Sequence, residues 1–111
     1  MSPSHKPFIP KGVSEIIDYL AMMMLESPTF VDKTGYFSHR NLEVAFYELN
    51  EGLGLIRKTL GEERYLKLME MSDRMRAHFE ADPEQKTGDT LKGCRIIDEM
   101  REMLIQKARK S

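Results

Sequence analysis

Leu42, Phe46, Leu49, Leu53, Ile56 and Leu60 follow one another at spacings of four, three, four, three and four. Apolar residues recurring at three and four draw one continuous stripe along a helix, and such a repeat suits left-handed packing against a neighbouring helix. A strand, whose side chains alternate between faces with a period of two, would scatter the same set over both. The seam therefore predicts a helix over 39–60, capped by Ser38 or Asn41 and stopped by Gly61.

Three further segments carry helical spacing. Ile16, Ile17, Leu20, Met23 and Met24 predict a helix over 14–27, with Ser14 as N-cap and Pro28 biasing Ser27 out of helical angles. Glu62 and Glu63 open a helix over 62–81 at its electropositive end, with Tyr65, Leu68, Met69, Ser72, Met75 and Phe79 on its inner stripe. Asp89 or Thr90 caps a last helix over 89–109, bearing Leu91, Cys94, Ile97, Met100, Leu104 and Ala108, with Ile96, Met103 and Ile105 widening its apolar face. The polar stretch 82–89 separates these last two helices. Short links favour antiparallel neighbours, so the expected fold is all-α: an antiparallel four-helix bundle forming a single domain over 14–111.

The remaining chain reads as connections. Residues 1–13, with prolines at 3, 7 and 10, form an extended arm and lack the apolar core of a secretory signal. Residues 29–37 place Phe30, Val31, Tyr36 and Phe37 around an Asp-Lys-Thr-Gly turn and read as a structured loop whose aromatics pack on the bundle. A chain of 111 residues supports one modest core. The longest apolar run, Tyr19 to Leu25, has seven residues against the roughly 20 of a membrane-spanning helix. The single Cys94 excludes an internal disulfide and points to a reducing, cytoplasmic setting.

Charge balance, 17 basic against 18 acidic residues, leaves no net field to attract nucleic acid or an anionic membrane. The local basic sets Arg57-Lys58 with Arg40, and Arg74 with Arg76, are interrupted by glutamates, and the 58–63 link only loosely matches the turn of a helix-turn-helix. A DNA-binding regulator is therefore a subordinate reading. Arg74-Met-Arg76-Ala-His78 superficially resembles the Arg-and-His motif of HEPN ribonucleases, which are also helical bundles. That family sets a wider interval between its Arg and His, so no catalytic role is carried over.

Other chemistry has equally little support. The residues three before His39 and His78 are Tyr36 and Met75, so the Glu-x-x-His pairs of di-iron bundles are missing. Cys94 lies within an apolar stripe and reads as a quiet thiol. A pocket built from His39, Glu43 and His78 defines the alternative of a small enzyme or a ligand- or metal-binding bundle. No catalytic, metal or cofactor site is assigned. Gly52 and Gly54 each cost their helix about 1 kcal/mol relative to alanine. Gly52 shares a face with Ala45, which predicts close approach of another helix, the other reading being a break or kink.

One segment exceeds what a single bundle requires. Tyr19 to Leu25 is apolar all round, and one face of a surface helix cannot bury seven consecutive positions. Either the helix lies centrally or it meets a second chain. The expected function is a non-enzymatic interaction or regulatory domain of the small adaptor, anti-activator or toxin-neutralising kind, acting as a homodimer or on a protein partner. Its expected contact residues are Tyr19, Met22, Met23, Leu25 and Phe30.

Overall fold

A computed structural model of the protein describes residues 8–30 and 41–110. It contains α1 (Val13–Glu26), α2 (Leu42–Leu55), α3 (Arg57–Leu60), α4 (Glu62–Ala81) and α5 (Asp89–Lys110). The described residues hold no strand, and none of their helices is long and apolar enough to cross a membrane. Most of the expected aromatic loop, together with Ser38, His39, Arg40 and residues 1–7, lies outside the described residues.

The described residues are all-helical as expected, but they form five helices where four were anticipated. The seam helix divides at Ile56, whose backbone (φ −104°, ψ 14°) turns its N–H to the carbonyls of Leu53 and Gly54. Gly52 and Gly54 weaken the helix in the turn before the break, which is the local cause. The stripe survives the division, because Leu53, Ile56 and Leu60 are all buried on either side of it. Gly61, at φ +87°, then ends α3 with its N–H on the Arg57 carbonyl. At the start of α2, Asn41 accepts a hydrogen bond from the Val44 N–H at 2.9 Å. Helix α1 starts one residue earlier than expected, with Gly12 rather than Ser14 in the cap position.

Helix α1 packs on α2 and α5, α2 packs on α4, and α4 packs on α5, while α3 leans on α2 and α4. The core joins Ile16, Leu20 and Met23 of α1 to Leu49 and Leu53 of α2, Leu68 and Met75 of α4, and Ile97, Met100 and Leu104 of α5. Phe30 stands edge-on to Phe46 and Phe79, with ring centres 5.6 and 5.2 Å away. Among the polar contacts between helices, Ser72 donates to the Asn50 side chain at 2.8 Å, and the Arg101 Nε donates to the Ile17 carbonyl at 3.3 Å.

Gly52 does admit a close neighbour, but the neighbour is the N-terminal arm rather than a helix. A Cβ on Gly52 would lie 2.7 Å from Pro10 Cγ. Gly93, in α5, is a second close approach that periodicity does not reveal, since a Cβ there would lie 2.5 Å from the Phe79 ring.

Candidate interaction surface

Three of the five expected contact residues are taken up by the chain's own core. Tyr19, Met23 and Phe30 are buried, Met22 is half-buried, and Leu25 is 88% exposed. Helix α1 absorbs most of its apolar run because it is covered from several sides, by α2, by α5 and by Phe8 of the arm, whose ring stacks on Tyr19. Leu25, at the last turn, projects beyond this cover.

Leu25 does not stand alone. It borders a groove of about 480 Å³ between the end of α1 and the start of α5, lined also by Met24, Ser27, Gln85, Leu91 and Cys94. Leu91 is itself 58% exposed, so the apolar stripe of α5 continues past the core onto this surface. The Ser27 hydroxyl donates to the Met24 carbonyl at 2.9 Å and lies 3.5 Å from the Cys94 sulfur, which holds the end of α1 against α5.

The floor of the groove is fixed by Asp82, which begins the polar stretch that separates α4 from α5. Its carboxylate is buried and accepts from the N–H groups of Lys86, Thr87 and Thr90 at 2.6, 3.0 and 3.1 Å, and from the Thr90 hydroxyl at 3.0 Å. Asp82 thus ends one helix and satisfies an otherwise open N–H in the first turn of the next, where Gly88 has no side chain to do so. Burial alone would raise its pKa, but the donors from Thr87, Thr90 and Lys86 outweigh burial and hold it at about 2. Beside it, the Asp89 carboxylate meets the Thr87 hydroxyl at 2.6 Å and His78 Nδ1 at 2.9 Å, and these two contacts hold it below the usual carboxylate range.

The sign of the resulting pH dependence follows. A carboxyl that titrates near 2 in the folded chain and near 3.9 when unfolded contributes stability that is complete above about pH 4 and fades as the pH falls toward 2. The stability gap between wild type and Asp82→Asn should therefore shrink as urea titrations are repeated from pH 5 down to about 2. A gap that stays constant with pH would contradict the role given to this carboxylate.

The other candidate chemistry is dispersed. His39 lies outside the described residues, Glu43 is exposed near the start of α2, and His78 pairs with Asp89 on α5. Among the described residues no group of three or more His, Cys, Asp and Glu is placed to hold a metal ion. Of the basic sets, Arg57 pairs with Glu62 and lies over the Tyr65 ring, Arg74 pairs with Glu70 at 3.8 Å, and Arg76 pairs with Glu80 at 3.2 Å. Each of these arginines thus has an acidic neighbour on its own surface, and Arg40 lies outside the described residues.

Comparison of the chain with protein-family models, curated proteins and solved structures finds no match.

Proposed function

We propose that this is a non-enzymatic interaction domain, and that its docking surface is the groove between the end of α1 and the start of α5. The observation that carries the reading is the joint exposure of Leu25 and Leu91 on the rim of one groove. Single exposed leucines are ordinary, whereas two aliphatic side chains flanking a concave strip match the anchors on which partner helices close. The domain works as a homodimer or on a protein partner, in the manner of a small adaptor, anti-activator or toxin-neutralising protein. The single Cys94 supports a reducing, cytoplasmic setting. An antiparallel four-helix arrangement of α1, α2, α4 and α5 is part of the same reading, supported by the short 82–88 link and by the packing of α1 on both α2 and α5.

The test is Leu25→Asp combined with Leu91→Asp. Losing two buried anchors, each worth about 2 kcal/mol, weakens association with a partner protein by roughly 1,000-fold, and self-association by more, since both protomers lose them. Light scattering across a concentration series should show the wild type self-associating and the double variant monomeric, with equal helical content by circular dichroism. For a wild type that stays monomeric, capture from host extract takes over as the measure. Identical partners retained by both proteins would remove this groove from consideration.

A further inference from the structure

The N-terminal arm occupies a seat that has the features of a peptide-binding cleft. Pro10 is buried against Gly52, which lacks the side chain that would exclude it. The Phe8 N–H donates to Glu48 Oε2 at 2.9 Å, and the other oxygen of that buried carboxylate accepts from the Tyr19 hydroxyl. The Phe8 ring lies on Tyr19, with centres 6.1 Å apart and planes 22° from parallel, yet remains 57% exposed. Beside it is a hollow of about 230 Å³ lined by Glu15, Asp18, Tyr19 and Met22. Backbone capture by a fixed carboxylate, an aromatic shelf and a glycine that admits proline together select an extended segment with an aromatic residue two places before a proline.

Charge identifies the occupant further. The cleft presents Glu15, Asp18 and Glu48, and the arm carries His5, Lys6 and Lys11 around Phe8-Ile9-Pro10. We infer that this cleft receives the same basic arm from a second copy of the chain, so that two molecules exchange arms. Every contact made within one chain is reproduced between two, and the contacts themselves do not favour either arrangement. What favours the internal one is the tether, Lys11-Gly12, which acts as a local concentration in the millimolar range. Exchange is therefore concentration-dependent. It uses a surface separate from Leu25 and Leu91, and it stands whether or not that groove binds anything.

The experiment mixes two populations of the full-length chain in equal amounts. One is unlabelled and carries a nitroxide on the α-amino group, which is selected over the lysines by its lower pKa. The other is ¹⁵N-labelled and carries no nitroxide, so broadening in its spectrum arises only between molecules. At about 1 mM total protein, near the local concentration of the tether, half the seats are filled by exchange, and half of those by nitroxide-bearing arms. The amide signals of Tyr19, Glu48 and Gly52 should then lose roughly a quarter of their intensity. Dilution to about 0.05 mM, and Phe8→Ala on the nitroxide chain, should each restore them. Full intensity at these amides at the higher concentration would overturn the inference, and so would a loss that Phe8→Ala leaves unchanged. Repeating the mixture with Leu25→Asp and Leu91→Asp in both populations should preserve the broadening, which separates this cleft from the groove.

Discussion

Replacing Phe30 by alanine is expected to destabilise the protein by about 3–5 kcal/mol, a fall in melting temperature of roughly 20 °C. The ring is fully buried and meets Phe46 and Phe79 edge-on, so its loss opens a void that backbone adjustment cannot fill. Phe30 also has φ of 59°, in the left-handed region that bulky residues rarely adopt. Its backbone therefore sits there at a cost of about 1–3 kcal/mol, which the packing of the ring must exceed. The companion variant Phe30→Gly removes the same ring but suits the backbone, and should be at least as stable as Phe30→Ala. Urea unfolding of the three proteins decides the matter. A loss below about 1 kcal/mol for the alanine variant would show that the ring is not a structural plug.

The second large effect is expected at Gly93, where two magnitudes oppose each other. On helix propensity alone, Gly93→Ala should gain about 1 kcal/mol. The added Cβ would lie 2.5 and 2.6 Å from Phe79 Cε1 and Cζ, however. That ring has little room to retreat, since Phe30 and Phe46 pack against it with centres 5.2 and 6.5 Å away. Overpacking of this kind costs about 1–3 kcal/mol, so the net effect of alanine is destabilising and that of Gly93→Val larger still. Phe79→Leu should recover part of the loss in the Gly93→Ala background, because the two residues share one space. Thermal melts showing Gly93→Ala to be more stable than wild type would mean that α4 and α5 do not approach closely here.

The contrast between Gly93 and the α2 seam shows which parts of the fold could be read from sequence. Leu42 to Leu60 declares its inner face because 3.6-residue periodicity is a local property, and the same holds for Leu68, Ser72, Met75 and Phe79 of α4 and for Ile97, Met100 and Leu104 of α5. The apolar spacing continues through the break at Ile56 and does not mark it; Gly52 and Gly54 did, through the second reading of those glycines as a break or kink. Gly93 gave no signal, since a glycine's effect depends on what lies opposite, and Phe79 is on another helix. Asp82 read as the start of a polar stretch, yet its carboxylate is buried among backbone donors.

The candidate surface was legible in outline only. The apolar excess at the end of α1 was visible, but sequence could not apportion it between core and exterior. The neighbours that cover this part of α1 come from α2 and α5, far along the chain, and from the arm that precedes it. Leu25 kept its exposure because it lies on the last turn. Leu91 was expected on the inner stripe of α5, and it faces outward because the core ends before that stripe does.

The Asp82 carboxylate also bears on how chain entropy is distributed over the fold. Its bonds span only four to eight residues, so the turn that joins α4 to α5 closes a short loop at small entropic cost. The contact from Arg101 to the Ile17 carbonyl spans 84 residues. The C-terminal pair of helices is thus joined through a local closure, whereas the docking of α1 on α5 closes the longest loop of this topology.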